Sequence, residues 1–267
     1  MLVSGIIFVA GISEKLKIQT YEIETDKVDS EVRIALITDL HSCYYGEGMS
    51  ELLDELDRQN PDAVLLGGDI FDTWIPDENT ETVLAYISGK YPSYYVVGNH
   101  EFWCGDEGFN KKMDILGKYE ITRLRGDLEE LTVNGETINI CGIDDPDGAQ
   151  YISDFGSTFE EQLNAVGNAE KNGKYTVLLS HRPERFSQYI QYDFDLVLCV
   201  HAHGGQWRVP VLVNGVYAPN QGFLPKYAGG EYNGNGTKMI VSRGLARETT
   251  RIPRVYNKPE LVIIDLK

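Results

Sequence analysis

Two histidines with one residue between them, His201 and His203, are a natural starting point for chemistry in this chain. The chain has five histidines in 267 residues, so such a pair is unusual. At a strand end or in a tight loop, this spacing can direct both imidazoles into one cleft. Neutral imidazole is the commonest protein ligand for transition metals. The pair therefore predicts a metal-binding site.

The other three histidines each come shortly after an apolar run; they are His41, His100 and His181. Runs of this kind are predicted to be buried strands, at 32–37, 94–97, 176–179 and, before the pair, 196–200. Ligands of open α/β proteins collect at the carboxyl ends of strands. A single histidine there could be an ordinary core residue. Five of them beside Asp, Asn and Gly indicate one shared site.

Seven side chains at these strand ends offer enough oxygen and nitrogen ligands for two metal ions. They are Asp39, His41, Asp72, Asn99, His181, His201 and His203. A carboxylate can bridge two ions through its two oxygens, whereas asparagine adds an oxygen without charge. Two close metal ions can acidify a bridging water, hold a phosphoryl group and stabilise an in-line displacement. The set therefore predicts hydrolysis of a phosphate ester.

His100 is predicted to be a catalytic residue rather than a ligand. It follows Asn99 directly, and seven ligands are already available without it. A leaving alkoxide needs a proton, which a neighbouring imidazole can supply as a general acid or as a hydrogen-bond donor in the transition state. Glu101 could orient His100, or it could cap a helix or lie at the surface.

The first half of the chain alternates strands and helices. The predicted elements are an outer strand at 17–24, strands at 32–37, 63–66 and 94–97, and helices at 49–58, with Ser50 as N-cap, and 80–88. Apolar spacing and capping signals define these helices. A strand–helix–strand order implies right-handed crossovers and a largely parallel sheet.

The second half adds hairpins to this pattern. The predicted elements are helices at 109–116 and 158–171, hairpins at Asn134-Gly135 and Asn214-Gly215, and strands near 175, 195, 239 and 261. Asn-Gly is a strong hairpin signal. We expect an α/β fold with two mixed sheets face to face and helices on the outer faces.

Composition excludes some partners. The formal charge of −17, without a large Lys/Arg cluster, disfavours long nucleic acid. Residues 2–12 form an apolar run that is too short to span a bilayer and could be a strand, a membrane-contacting segment or part of an anchor. The four cysteines have no metal or disulfide spacing, which favours a reduced, cytoplasmic setting.

In chain order, five blocks of this sequence resemble the signature blocks of the calcineurin-like metallophosphoesterases. The blocks are Asp39-x-His41, Gly68-Asp69-x-x-Asp72, Gly98-Asn99-His100-Glu101, His181 and His201-x-His203. The resemblance spans residues 32–266, so we expect an N-terminal apolar segment and outer strand at 1–31 and a metallophosphoesterase domain at 32–267, in one domain overall.

The resemblance implies a four-layer α/β/β/α sandwich, the metallo-dependent phosphatase fold. It also implies two divalent or trivalent transition-metal ions, of Mn, Fe or Zn. One ion would be held by Asp39, His41, Asp72 and His203, and the other by Asp72, Asn99, His181 and His201. Asp72 would bridge them, and Asp69 would support the loop. The family usually has glycine where this chain has Val200, and valine does not readily adopt a positive φ.

The C-terminal third is similar to that of a bacterial subgroup of membrane-associated phosphoesterases. The matching residues include 203–206, 218–219, 242–245 and 252–254. This resemblance implies a small phosphorylated substrate, either lipid-linked or nucleotide-linked, and is compatible with peripheral membrane contact. The oligomeric state is left open.

Aromatic residues follow several of the blocks. Trp74, Trp103 and Trp207 come shortly after Asp72, His100 and His203. They could pack the loops, or they could form a rim that binds a bulky apolar or aromatic group of the substrate. Arg182, next to His181, is a candidate phosphate contact. A basic group, Arg243, Arg247, Arg251 and Arg254, could bind phosphates or anionic lipid, or form an ion-paired face.

We therefore expect an enzyme that hydrolyses a phosphomonoester, phosphodiester or pyrophosphate through a hydroxide bridging two metals. The alternative is a non-catalytic scaffold of the same fold that binds a protein partner, although a scaffold need not keep seven ligands and an acid histidine. A metal-dependent amidohydrolase or deaminase also uses His-x-His. Amidohydrolase or deaminase chemistry does not use the motifs found here at residues 68–72 and 98–101.

Overall fold

One six-stranded mixed sheet contains the first five strands and the last strand of the chain. The computed structural model describes residues 11–247 and 253–267. The strands of this sheet are β1 (Lys17–Ile23), β2 (Val32–Ile37), β3 (Ala63–Leu66), β4 (Ser93–Tyr95), β5 (Thr122–Arg123) and β14 (Glu260–Leu266). Their order is β1-β14-β2-β3-β4-β5, and only β14 and β2 pair antiparallel.

A second mixed sheet of six strands packs against the first. Its strands are β6 (Asp127–Val133), β7 (Glu136–Ile143), β8 (Thr176–Ser180), β9 (Leu196–Cys199), β12 (Gly230–Gly234) and β13 (Thr237–Val241). The order is β12-β13-β9-β8-β7-β6, with parallel pairing in the centre and antiparallel pairing at both edges. A short hairpin joins β10 (Tyr217–Ala218) to β11 (Gly222–Phe223).

Helices cover the outer faces of both sheets. They are α1 (Ser50–Gln59), α2 (Glu78–Ile87), α3 (Asn99–Phe102), α4 (Gly105–Lys118), α5 (Gly148–Tyr151), α6 (Phe159–Asn168) and α7 (Phe186–Tyr189). Side chains of a strand alternate between its two faces. In β2, Ile34 and Leu36 therefore face the second sheet, whereas Ala35 and Ile37 pack with the helices. The predicted α/β/β/α sandwich with two mixed sheets is confirmed.

Most predicted elements are present with shifted ends. The helix predicted at 158–171 is α6, which Thr158 caps in a capping box with Glu161. Ser50 is not the N-cap of α1: Met49 takes that position in a left-handed conformation, without a side-chain cap. The predicted outer strand is β1, which pairs along its whole length with β14.

One of the two predicted hairpins is wrong. Asn134-Gly135 joins β6 to β7 as expected. Asn214-Gly215 does not join two paired strands, and β10, which follows it, forms its hairpin with β11 instead. Tertiary contacts override the turn signal here, because Asn214 bonds to Gly229 and Arg243, and Gly215 packs closely against Gly205.

Residues 1–10 lie outside the described part of the chain, as does Arg251 of the predicted basic group. Most of the predicted apolar segment at 2–12 is therefore not described. Among the residues that are described, no helix is both long enough and apolar enough to cross a membrane.

Candidate metal centre

Each candidate ligand follows the carboxyl end of a strand. The segments after β2, β3, β4, β8 and β9, which we call the ligand loops, carry in that order Asp39 and His41, Asp69 and Asp72, Asn99 and His100 at the start of α3, His181, and His201 and His203. Within each sheet these strands are parallel neighbours, and the two sheets stack face to face. The five loops therefore meet at one edge of the sandwich.

Left-handed backbone conformations turn these loops sharply. Positive φ angles occur at Asp39 (46°), His41 (49°), Asp69 (51°), His201 (62°) and His203 (45°). For residues other than glycine this conformation costs about 1–2 kcal/mol each, so surrounding contacts must hold the loops. Val200 does not have a positive φ, because the turn falls on His201 instead. Valine is therefore accommodated at this position without backbone strain.

The buried carboxylate of Glu101 ties two of the loops together. It accepts hydrogen bonds from the backbone N–H groups of Asp69 (3.0 Å), Phe71 (3.0 Å) and Gly98 (2.9 Å). The hydroxyl of Tyr95 donates to it as well, at 2.7 Å. Glu101 thus fixes the loop after β3 against the start of α3. None of these hydrogen bonds involves the ring of His100.

One cluster of potential ligands contains Asp39, His41 and His203, whose ligand atoms lie within 4.8 Å of one another. Nδ1 of His203 is 3.8 Å from Oδ2 of Asp39. Both oxygens of Asp39, Nε2 of His41 and Nδ1 of His203 are buried without a hydrogen-bond partner. Burial raises the pKa of Asp39 above its ordinary value. A bound cation would compensate for this desolvation.

A second cluster contains Asp69, His181 and His201. Nδ1 of His181 donates to the carbonyl of Gly67 at 2.9 Å. Its Nε2 is 3.2 Å from Oδ2 of Asp69 and 3.2 Å from Nδ1 of His201. Although burial opposes it, the charge of Asp69 raises the pKa of His181 to about 10. This cluster therefore attracts a proton or a metal ion to the space between its three members.

Oδ2 of Asp69 lies between the two clusters. It is 3.2 Å from Nε2 of His181 in one cluster and 3.8 Å from Nε2 of His41 in the other. This oxygen is buried without a hydrogen-bond partner, as is Oδ1 of Asn99. The other oxygen of Asp69 accepts a hydrogen bond from the backbone N–H of His100 at 2.8 Å. The donor set of carboxylates, imidazoles and one amide suits transition metals.

Asp72 is placed differently from Asp69. Its Oδ1 accepts hydrogen bonds from the backbone N–H groups of Trp74 (2.7 Å) and Ile75 (2.9 Å). Its Oδ2 is 3.2 Å from Nδ1 of His41. Because Nδ1 donates to this carboxylate, Nε2 of His41 keeps its lone pair and faces the first cluster. Orientation of a ligand histidine by a carboxylate is common at metal sites.

His100 lies beside both clusters. Its Nδ1 is 3.4 Å from Oδ2 of Asp72 and 3.2 Å from the hydroxyl of Thr73. Its ring packs edge-on against His41 and in a tilted arrangement against Trp103. Burial lowers the pKa of His100, but the charge of Asp69 and the bond to Asp72 outweigh burial and raise it. A raised pKa suits a proton donor.

Arg182 has a different environment from the one predicted. Its side chain is almost fully buried and forms a two-point ion pair with Asp145, through Nε and, at 2.8 Å, through Nη2. Nη1 donates to Asn220 and lies next to Nε2 of His201. With its donors engaged in this way, Arg182 supports the second cluster, and the geometry argues against a direct phosphate contact.

The three tryptophans lie around the clusters with different exposure. Trp74 is 87% exposed, whereas Trp103 and Trp207 are about 40% exposed. The indole of Trp103 packs on His100 and donates to Asp147 at 3.0 Å. The indole of Trp207 donates to the carbonyl of Pro253 at 2.9 Å. Two of these side chains are thus held in place by a polar contact while part of the ring remains exposed.

An apolar cleft opens next to His203. It has a volume of about 340 Å³ and is lined by Gly205, Gln206, Trp207, Val216, Tyr217 and Phe223. Further large apolar side chains are exposed nearby, at Val209, Val211, Leu212 and Leu224. We call the exposed apolar side chains of residues 207–224 the apolar surface. Residues 201–230 contain no Asp or Glu, although the chain has 41 of them.

Sequence reasoning missed Asp145 and Asn220, which surround Arg182 and His201. Asp145 follows β7, so it sits at a strand end like the predicted ligands, and that placement could have revealed it. Asn220 lies in the turn between β10 and β11, where the sequence has no signal beyond a turn.

Comparison with known proteins matches this chain to one protein family. Residues 32–205 match the family model for the calcineurin-like phosphoesterases. The chain is 28% identical over 274 residues to an uncharacterized metallophosphoesterase of Campylobacter jejuni, covering 100% of this chain and 68% of that protein. It is 27% identical over 212 residues to phosphodiesterase YaeI of Escherichia coli, covering 78% and 72%.

Solved structures share the fold. NAD nucleotidase of Haemophilus influenzae aligns with a TM-score of 0.55 at 21% identity, covering 85% of this chain and 46% of that one. The chain spans 68% of its Campylobacter relative and 58% and 49% of two Helicobacter pylori relatives.

Proposed function

Because the chain belongs to the calcineurin-like phosphoesterase family, we propose that it hydrolyses a phosphomonoester, phosphodiester or pyrophosphate bond with two bound metal ions. The observation that carries this proposal is the pair of neighbouring ligand clusters with Oδ2 of Asp69 between them, in which several buried polar atoms lack hydrogen-bond partners. One relative is named as a phosphodiesterase, which favours a phosphodiester over the other two bond types.

The proposed ligand sets follow from the two clusters. One ion would be held by Asp39, His41 and His203 together with Asp69, and the other by Asp69, Asn99, His181 and His201. The bridging carboxylate is then Asp69, whereas the sequence-based prediction gave this role to Asp72. When bound, the two ions acidify a water and hold the phosphoryl oxygens. Mn, Fe and Zn all suit these donors.

His100 supplies the proton for the leaving group. Asp72 and Thr73 engage its Nδ1, which leaves Nε2 to donate to the leaving oxygen. Asp72 thereby serves two histidines, because it orients both His41 and His100. Packing of Trp103 on the ring of His100 limits the rotation of that ring.

The proposed substrate is small and phosphorylated and carries a bulky apolar or aromatic group. The apolar cleft lined by Trp207 and Phe223 can receive that group, and the exposed rings of Trp74, next to Asp72, and Trp103, on His100, are further candidates to contact it. Trp207→Ala and Phe223→Ala should raise KM for an ester with a long acyl or aryl group. They should leave KM for a small methyl phosphodiester unchanged, and an equal effect on both would contradict the proposal.

Peripheral membrane contact is a further part of the proposal. Residues 201–230, which contain the apolar surface, have no Asp or Glu but include Arg208 and Lys226, in contrast to the strongly acidic chain as a whole. Such a surface suits the interface of an anionic bilayer. Leu212→Asp and Phe223→Asp should abolish co-sedimentation with vesicles of phosphatidylglycerol and phosphatidylcholine. Glu120→Gln, in the exposed turn between α4 and β5, serves as the control. We propose a cytoplasmic location for the protein.

The reaction is tested with protein reconstituted with Mn²⁺, Fe²⁺ or Zn²⁺. We expect turnover of p-nitrophenyl phosphate or its bis-ester that depends on metal and disappears in His201→Ala. Absence of turnover of either ester, and of a pyrophosphate such as a nucleoside diphosphate sugar, would contradict the proposal and favour a non-catalytic scaffold.

A further inference from the structure

His201 contacts a different group with each of its two ring nitrogens. Nδ1 faces the second cluster and is 3.2 Å from Nε2 of His181. Nε2 faces away from the cluster and has two neighbours, Oδ1 of Asn220 at 2.8 Å and Nη1 of Arg182 at 3.1 Å. A neutral imidazole carries one proton, so the partners of the two ring nitrogens determine which nitrogen is bare and can bind a metal.

The two neighbours of Nε2 favour opposite tautomers. A guanidinium only donates, so Arg182 alone would favour a bare Nε2 and a proton on Nδ1. An amide oxygen only accepts, so Asn220 favours a proton on Nε2 and a bare Nδ1. Only the second tautomer can coordinate a metal through the nitrogen that faces the cluster. The tautomer of a ligand histidine is generally set by the partner of its other nitrogen.

Asn220 also offers Arg182 an alternative acceptor, so that Arg182 need not donate a hydrogen bond to Nε2 of His201. Nη1 of Arg182 donates to the same oxygen of Asn220 at 2.6 Å, which is shorter than its distance to His201. The ion pair with Asp145 holds the guanidinium in place. The oxygen of Asn220 can therefore accept from the arginine and from the histidine at once, and Nε2 of His201 need not accept from Arg182.

The backbone holds Asn220 in position for this role. The residue lies in the turn between β10 and β11 with a φ of 58°. Asparagine tolerates this left-handed conformation better than most residues. The turn lies beyond the ligand loop that follows β9, and it reaches the second cluster through the side chain of Asn220.

We propose that Asn220 is a positioning residue that fixes the tautomer of His201 and thereby tunes the affinity of the second metal site. This inference rests on the proposed function, because it presumes that His201 binds a metal. It gives a functional role to the β10–β11 turn, which lies outside the five signature blocks.

The test uses two variants of the full chain. Asn220→Gly keeps the left-handed turn and removes the acceptor, whereas Asn220→Asp keeps an acceptor at the same position. Equilibrium dialysis against Zn²⁺ should give two ions per wild-type chain. Asn220→Gly should weaken one of them about 10–100-fold and leave the other unchanged. Asn220→Asp should bind both with at least wild-type affinity.

A spectroscopic measurement on metal-free protein separates this role from general support of the turn. Nitrogen-15 NMR of labelled histidine should show the His201 proton on Nε2 in wild type and in Asn220→Asp, and a larger fraction of that proton on Nδ1 in Asn220→Gly. The same tautomer ratio in all three proteins would overturn the inference, as would unchanged zinc affinity in Asn220→Gly. Absence of zinc binding by wild type would instead contradict the proposed function, while the tautomer measurement would still decide the role of Asn220.

Discussion

At the scale of single residues, the two carboxylates of the loop after β3 differ in what their oxygens contact. Asp69 directs one oxygen, without a hydrogen-bond partner, to a position between two histidines of different clusters. Asp72 uses one oxygen for backbone N–H groups and directs the other to the Nδ1 atoms of His41 and His100. The first arrangement suits a shared ligand and the second suits orientation of histidines.

Substitution to asparagine distinguishes these two roles. Asp69→Asn should bind at most one metal ion per chain, because it removes the charge and one oxygen that the two sites share. Asp72→Asn should still bind two ions, with affinity lowered about 10–100-fold. Metal content after dialysis, measured by mass spectrometry, decides between them. Loss of both ions in Asp72→Asn, with two retained in Asp69→Asn, would instead support Asp72 as the bridging ligand.

The role of His100 predicts a dependence on the leaving group. His100→Gln should keep both metals and lower kcat about 10²–10⁴-fold for an alkyl phosphate ester, whose leaving oxygen needs a proton. The loss should be much smaller for p-nitrophenyl phosphate, because p-nitrophenolate leaves without one. Steady-state kinetics on the two esters check this difference. Equal losses on both would show that His100 acts in some other way.

The sequence is enough to predict which residues form the site, but not which role each of them has. Five blocks in order were enough to predict which loops would meet. Which of Asp69 and Asp72 points inward depends on side-chain direction after a left-handed turn at Asp69, and spacing does not reveal this. Burial of Arg182 was likewise invisible, because its partner Asp145 lies 37 positions away.

At the scale of elements, the ligand loops depend on contacts between neighbouring strand ends. The Glu101 carboxylate, at the start of α3, accepts N–H groups from the loop after β3 and from Gly98. Several strained φ angles are concentrated in the same loops. Glu101 thus links the backbone of two elements, which is why a residue without direct metal contact matters for the site.

Removal of this carboxylate should be costly. Glu101→Ala leaves three buried N–H groups without an acceptor and should lower the free energy of unfolding by about 3–5 kcal/mol. Tyr95→Phe removes a single hydrogen bond to the same carboxylate and should lower it by about 1 kcal/mol. Urea denaturation of the metal-free proteins measures both. Similar losses in the two variants would mean that Glu101 does not hold the loops.

The elements themselves were largely predictable because apolar periodicity in this chain is strong. The buried strands, the main helices and the hairpin at Asn134-Gly135 follow from local sequence. The stretch 201–230 does not, since its conformation depends on contacts such as the approach of Gly215 to Gly205. Local signals are weakest where tertiary contacts replace secondary structure.

At the scale of the whole molecule, the buried carboxylates link metal binding to stability. Asp39 and Asp69 carry oxygens without partners at the edge between the two sheets, and burial of such groups is unfavourable until a cation binds. The loops of both sheets contribute ligands, so a bound ion joins the two halves of the sandwich.

Metal should therefore stabilise the fold. At a free concentration 100 times Kd, each ion should add about 2.7 kcal/mol to the free energy of unfolding. Thermal denaturation with and without Mn²⁺, and again after excess EDTA, measures the effect. The gain should be absent in a variant that lacks both Asp39 and Asp69. An unchanged Tm on adding and removing metal would mean that the clusters do not bind it in the folded state.

The two-metal mechanism is tested most directly by the rate of bis-p-nitrophenyl phosphate hydrolysis as metal is titrated into metal-free protein. We expect little turnover while the first ion binds and a rise in rate that follows the second, ending at two ions per chain. A maximal rate at one ion per chain, or no turnover with two ions bound, would contradict a two-metal phosphoesterase.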